Sequence, residues 1–287
     1  MVSSSQIIRR LCLLASAILT FALAAGSAQA ADVSSNWAGY VAVPASSVGS
    51  PFASVSGSWT EPTATCTMGR ESYSAVWVGL GGARESATSL EQVGTDADCS
   101  SAGRPVYSSW FELLPAEAVG VRLAVHPGDR MTASVTVRGH DATLRLRDLS
   151  SGGRFTITRR MAKVDVSTAE WIVEAPSICL GTGACRTDAL TDFGAVEFSA
   201  TSATAHGHTG PIADPEWSTT ALELRQSSLT GGRRGTAAVG VPSSSLIEAS
   251  PSSAAGPEGA FAVRWQEQAV QGERSAPPTL PGASGGG

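Results

Sequence analysis

From Thr132 to Thr158 the chain alternates so strictly that extended backbone is the only regular structure it fits. Ala133, Val135 and Val137 interleave with Thr132, Ser134, Thr136 and Arg138, and Leu144 and Leu146 interleave with Arg145 and Arg147. After Ser150-Ser151-Gly152-Gly153, Phe155 and Ile157 interleave with Thr156 and Thr158. A period of two places every apolar residue on one face of a strand and every hydroxyl or guanidinium on the other. A helix would scatter the same residues around its axis. The Ser/Gly turn then makes the second and third runs an antiparallel hairpin with one wet face.

The rest of the chain points the same way. Gly, Ser and Thr are abundant, and no stretch holds apolar residues at helical spacing for three turns. Further strands are expected at Val55–Trp59, Ser74–Leu80, Leu90–Asp96, Val106–Leu114, Val121–Val125, Glu170–Glu174, Ala195–Ala200, Ala221–Arg225 and Phe261–Trp265. Many short strands at this spacing predict an all-β chain. The expected architecture is a β-sandwich of two packed antiparallel sheets, of concanavalin or jelly-roll type. No internal repeat is visible, and one large sandwich accounts for the length, since such folds run to about 250 residues as single domains.

Both ends are set apart by composition. Arg9-Arg10, the uncharged apolar run Leu11 to Ala25, and Ala28-Gln29-Ala30 form the three parts of a secretory signal, expected to occupy residues 1–30. The apolar run is short for a membrane span, which needs about 20 residues. The folded domain is therefore expected over 31–266, in a secreted chain with no membrane attachment. Residues 267–287 turn to Pro, Gly and Ser and read as a disordered tail. Losing the signal removes Arg9 and Arg10 but no acid, so the mature charge falls two units below the −5 of the whole sequence. That balance argues against nucleic acid as a partner. Nothing asks for a second chain, and a monomer is expected.

Cys12 leaves with the signal, and Cys66, Cys99, Cys179 and Cys185 remain. An even count in an exported chain favours two disulfides, in any of three pairings. Gly181 and Gly183 let the short loop between Cys179 and Cys185 close, so that pairing is preferred, leaving Cys66 with Cys99. A zinc site is the rival, but the paired C-x-x-C form of structural zinc is missing.

The familiar hydrolase sets are poorly supported. None of His126, His140, His206 and His208 sits in H-E-x-x-H. Gly282-Ala283-Ser284-Gly285-Gly286 matches G-x-S-x-G only in the tail, without a strand before or a helix after it. His206-Gly207-His208 reads as a polar turn. What remains is carboxylate and amide chemistry on a sheet. In Ala169-Glu170-Trp171-Ile172-Val173-Glu174, alternation puts Glu170, Ile172 and Glu174 on one face. Taken alone, that pattern reads as a solvated sheet face. Gln92 shares a face with Gly94 and Asp96, and Glu112 shares one with Trp110 and Leu114. Trp77 lies in Val76-Trp77-Val78-Gly79, where glycine lets another backbone or a ligand come close.

Together these blocks resemble the glutamic peptidases, or eqolisins. The resemblance runs from Ser35-Asn36-Trp37-Ala38-Gly39-Tyr40 to about Trp265. It passes through Gly57-Ser58-Trp59-Thr60-Glu61-Pro62, Val76-Trp77-Val78-Gly79, Gln92-x-Gly94, the Trp110 to Pro115 run, Ala169 to Glu174, and Gly207-His208-Thr209-Gly210. The resemblance implies a double-sheet sandwich and a secreted endopeptidase that needs no metal or other cofactor. It implies a catalytic pair of Gln92 and Glu170, with Trp37 and Trp77 bordering the substrate cleft. Trp110, Glu112 and Asp96, beside them on candidate strands, join as candidate substrate-binding residues for a protein or peptide. The chain departs from the family pattern at Gly81, Ser108 and Leu114, where an Asp, an aromatic residue and a Tyr are usual.

Two other readings use the same residues. Glu112 and Glu170, flanked by Trp110 and Trp37, could serve a glycoside hydrolase if their carboxyls lay about 5–5.5 Å apart with Gln92 turned elsewhere. Alternatively, Trp37, Trp59, Trp77 and Trp110 could form stacking platforms in a non-catalytic carbohydrate-binding module.

Overall fold

The computed structural model describes residues 31–45, 51–84, 87–180, 184–225, 246–254 and 258–267, with side chains omitted over 178–186. The expected signal and the tail beyond residue 267 lie outside the described residues. Eighteen strands and no helix are present among them. In chain order they are β1 (Asp32–Ser34), β2 (Trp37–Pro44), β3 (Phe52–Thr60), β4 (Ala75–Gly81), β5 (Leu90–Cys99) and β6 (Pro105–Leu113). Then come β7 (Val119–Gly120), β8 (Arg130–Arg138), β9 (Asp141–Asp148), β10 (Arg154–Arg160), β11 (Ala169–Glu174) and β12 (Ser177–Leu180). The last six are β13 (Ala184–Thr187), β14 (Ala195–Ala205), β15 (His208–Pro211), β16 (Trp217–Leu224), β17 (Ala249–Pro251) and β18 (Phe261–Trp265).

Hydrogen bonding runs unbroken through β10-β9-β8-β3-β14-β18-β17-β16-β2-β11-β4-β5-β6-β7. The two layers of the sandwich are thus halves of one curled sheet, joined through β18, β17 and β16. Pairing is antiparallel except between β1 and β16. The main core lies between the halves. Tyr40, Trp171, Val78, Val93 and Phe111 from β2, β11, β4, β5 and β6 belong to one apolar cluster with Val55, Met131, Val135, Leu144, Phe198 and Phe261 from the other half. Trp171 also donates its indole N–H to the Ser56 carbonyl at 2.8 Å, tying β11 to β3.

The alternating run folds as expected, with Ala133 opposite Leu146 and Leu144 opposite Ile157. Two local expectations need correction. Val121–Val125 is not a strand. The pairing at that edge is made by Val119 and Gly120 against Phe111 and Trp110. The Ser109 hydroxyl takes the Leu123 carbonyl at 2.7 Å, so a side chain satisfies the backbone where a ladder was expected. Conversely, β2 is a central strand that alternation does not announce. Its run Trp37-Ala38-Gly39-Tyr40-Val41-Ala42 is buried on both faces, which erases the polar half of the pattern.

Candidate active site

The strands β2, β11, β4, β5 and β6 lie side by side, and their register decides what shares a face. Val41, Glu170, Gly79, Gln92 and Glu112 are consecutive partners across these five strands. Directly opposed residues in antiparallel strands point to the same side of the sheet. The next row reads Gly39, Ile172, Trp77, Gly94 and Trp110, and the one after it Trp37, Glu174, Ala75, Asp96 and Ser108. Glu170, Gln92, Trp37, Trp77, Trp110, Glu112 and Asp96 therefore occupy one face, turned away from the main core. A second apolar cluster, with Trp37, Val41, Trp77, Leu90, Trp110, Leu114 and Ile172, forms the floor around the acids.

Glu170 and Gln92 stand two strands apart, about 10 Å between backbones. The residue between them is Gly79, the one residue type that puts no side chain in the way. A Cβ there would lie 2.9 Å from Trp77 Cζ3 and 3.2 Å from Gln92 Cβ, so any larger residue pushes on both neighbours. The Gln92 amide nitrogen donates to Glu112 Oε2 at 2.6 Å, which fixes the plane of the amide. Only one of its two N–H groups is needed for that bond.

The face is not solvated, contrary to the simplest reading of its alternation. Glu170 is fully buried, and among the described residues no donor meets either carboxyl oxygen in ordinary hydrogen-bond geometry. Desolvation pushes its carboxyl well above the usual range. The nearby Thr168 hydroxyl opposes that rise, while the charges of Asp165 and Glu91 add to it. Glu174 is raised to about 8, again mainly by burial and then by the charge of Glu112. It accepts from Trp77 Nε1 at 2.9 Å and Asn36 Nδ2 at 3.3 Å. Trp37 and Trp77 meet edge to face at 4.9 Å. Burial raises Asp96 to about 6, despite bonds from Ser108 Oγ at 2.6 Å and Trp110 Nε1 at 2.7 Å.

Asp165, in the connection between β10 and β11, also reaches this region, although no catalytic motif singles it out. Gly81 has φ +84°, and a Cβ there would fall 2.6 Å from Asp165 Cβ and 2.9 Å from Asp165 Cγ. The aspartate supplied from the neighbouring loop thus fills the space beside position 81, where the resembled family usually has its own Asp. Its carboxylate accepts from the backbone N–H of Ser167 at 3.0 Å and of Gly82 at 3.3 Å. The Asp165-Val166-Ser167 triplet is an Asx-turn signal that could have flagged it.

Both alternative readings lose their footing. Trp59 is only 2% exposed, belongs to the main core and donates to Glu61 and Thr95, while Trp37 and Trp77 are completely buried. No stacking platform of four tryptophans exists. Glu112 and Glu170 are three strands apart, about 14 Å between backbones, with Gln92 bonded to Glu112 rather than turned away.

Elsewhere the expectations divide. Cys66 is bonded to Cys99. Cys179 lies opposite Cys185 in the β12–β13 ladder, but the second bond falls outside the described residues. The turn at His206 and Gly207 joins β14 to β15. An acid does reach it, because His208 Nε2 lies 2.9 Å from Asp214 Oδ2. Among the described residues no cluster of His, Cys, Asp and Glu could hold a metal, and no helix is long and apolar enough to cross a membrane.

Comparison with known proteins shows what this fold is similar to. The scytalido-glutamic peptidase bound to a peptide-based transition-state analogue aligns over 81% of this chain and 98% of its own, with TM-score 0.62 and 20% identity. The eqolisin SCP-B, in complex with the tripeptide Ala-Ile-His, aligns over the same shares at TM-score 0.60 and 20% identity. Aspergilloglutamic peptidase from Aspergillus niger covers 68% of this chain and 99% of its own, at TM-score 0.52 and 22% identity. At these identities the likeness speaks for the fold, and a search of curated proteins returned no match. The family model of the Peptidase A4 family matches residues 35–233, well over half of the sequence. This chain belongs to the Peptidase A4 family, the glutamic peptidases.

Proposed function

We propose that this chain is a secreted endopeptidase working in acid, with Glu170 as general base and then general acid, and Gln92 as the oxyanion donor. The observation carrying this reading is the shared row of Glu170, Gly79 and Gln92 on a face rich in buried acids and tryptophan. Ionised Glu170 takes a proton from a water molecule, and the resulting hydroxide attacks the scissile carbonyl carbon. The free N–H of Gln92 donates to the oxygen as negative charge builds, an interaction often worth roughly 3 kcal/mol. Protonated Glu170 then gives its proton to the amide nitrogen as the C–N bond breaks. Glu112 holds the amide by its other N–H.

The transition-state analogue and tripeptide bound by the two structural relatives favour a peptide substrate lying across this face. Trp110, Glu112 and Asp96 border it, with Trp37 and Trp77 packed beneath as its apolar floor. An amide does not titrate, so oxyanion stabilisation persists as pH falls. The raised carboxyl of Glu170 has an opposite consequence. Activity rises with pH as Glu170 ionises, placing the optimum above that of a glutamate with the ordinary pKa of about 4.3. The Arg9-Arg10, Leu11 to Ala25 and Ala28-Gln29-Ala30 segments support export. The test is incubation of the purified protein with a peptide library from strongly acid to neutral pH. Internal cleavage unaffected by pepstatin or a chelator is the expected result. No cleavage at any pH, or cleavage abolished by the chelator, overturns the reading.

A further inference from the structure

The far side of the sandwich carries a charge pattern that catalysis does not use. Along β8, the residues facing away from the core are Arg130, Thr132, Ser134, Thr136 and Arg138. Their counterparts are Asp141, Thr143, Arg145 and Arg147 on β9, and Arg154, Thr156, Thr158 and Arg160 on β10. Six arginines and one aspartate thus share one face of an otherwise acidic protein. The single acid is already engaged, Asp141 lying 3.5 Å from Arg160. On the adjoining β3, Ser54, Ser56 and Ser58 extend the hydroxyl rows.

Three of these arginines are placed unfavourably. Arg147 is directly opposite Arg154, and Arg145 lies two residues along from Arg147 on the same strand. Their backbones therefore fall within about 5–8 Å of one another. Like charges so placed repel, and none of the three has a carboxylate partner among the described residues. Discouraging edge-to-edge pairing explains arginines on the edge strand β10. It does not explain Arg145 and Arg147, one strand further in and pointing out of the plane.

We propose that this face binds a sulfated polysaccharide, with Arg145, Arg147 and Arg154 as the anion-binding centre. Guanidinium groups pair by two parallel hydrogen bonds with planar or tetrahedral oxyanions, and they stay charged at any working pH. A sulfate ester also keeps its charge in acid, whereas a carboxylated polymer neutralises near pH 4. The threonine and serine hydroxyls between the arginines supply partners for sugar hydroxyls. No aromatic side chain points from these strands to stack a nucleic acid base, and no apolar one to enter a bilayer.

The test uses the full-length secreted form and dextran sulfate as probe, with neutral dextran, single-stranded DNA and anionic vesicles alongside, in acid at low and moderate salt. Dextran sulfate binding that weakens with salt is expected, with neutral dextran unbound and DNA and vesicles bound at least tenfold less tightly. Arg145→Ser/Arg147→Ser/Arg154→Ser should weaken it roughly 10–100-fold. Arg70→Ser/Arg104→Ser/Arg264→Ser, removing equal charge elsewhere, should change it less than threefold. Peptide cleavage by the first variant stays at the wild-type level. Should the serine variant fail to melt cooperatively, glutamines at the same positions replace it. Absence of binding, equal loss in both variants, or equally tight binding of DNA or vesicles overturns the proposal.

Discussion

Glu61 allows a sharp test of how this fold responds to pH, because it is buried beside the main core and takes no part in the proposed chemistry. It is 1% exposed, accepts from Thr95 Oγ1 at 2.6 Å and Trp59 Nε1 at 3.2 Å, and its other oxygen has no partner among the described residues. Desolvation, with smaller contributions from the charges of Asp96 and Asp129, raises it from 4.5 to about 8. Between those values the native state holds a proton that the unfolded chain has released, so stability falls as pH rises through that window. Below pH 4 the effect vanishes. At pH 7 it amounts to about 3 kcal/mol of lost stability. Glu61→Gln keeps an oxygen for Thr95 and Trp59 and removes the titration. The new amide donor costs a similar amount at every pH, about 1–3 kcal/mol. The expected result is therefore a change in slope. Relative to wild type, the variant gains about 3 kcal/mol between pH 4 and pH 7, seen as roughly 6–12 °C in melting temperature. Unfolding by urea and by heat at both pH values measures it. Parallel stability profiles for the two proteins would refute the reasoning.

Three further outcomes follow from neighbouring groups. Glu112→Leu removes the acceptor that holds the Gln92 amide, so kcat should fall roughly 10–100-fold with KM little changed, read from steady-state cleavage of a fluorogenic peptide. Asp165→Asn removes a negative charge that hinders ionisation of Glu170, so the rising limb of kcat/KM against pH should move to lower pH. An unmoved limb would remove Asp165 from the account. Cys66→Ser/Cys99→Ser opens a loop with sequence separation 33 and should cost about 4 kcal/mol in equilibrium unfolding, with cleavage retained while the protein is folded.

The parts of this molecule legible in its sequence are those where one face meets water. Thr132 to Thr158 announces its strands because half of each strand stays polar. Trp37 to Ala42 hides its strand because both faces are buried. The site was legible as separate blocks, but the placement of Glu170 and Gln92 in one row depends on register across β11, β4 and β5. Register is a property of long-range pairing that no local pattern carries. The same limit explains Asp165. Its role depends on the space beside Gly81, more than eighty positions earlier in the chain. The burial of Glu170 and Glu174 also ran against their alternation, since carboxylates every second residue ordinarily mean solvent.

The most direct test of the central claim is kcat/KM for Glu170→Gln, Gln92→Ala and the double variant at acid pH, each checked for cooperative unfolding. If one base and one oxyanion donor act in the same step, each single change costs at least ~100-fold, and the double variant is barely worse than the poorer single one. Cleavage within tenfold of wild type by either folded single variant contradicts the account.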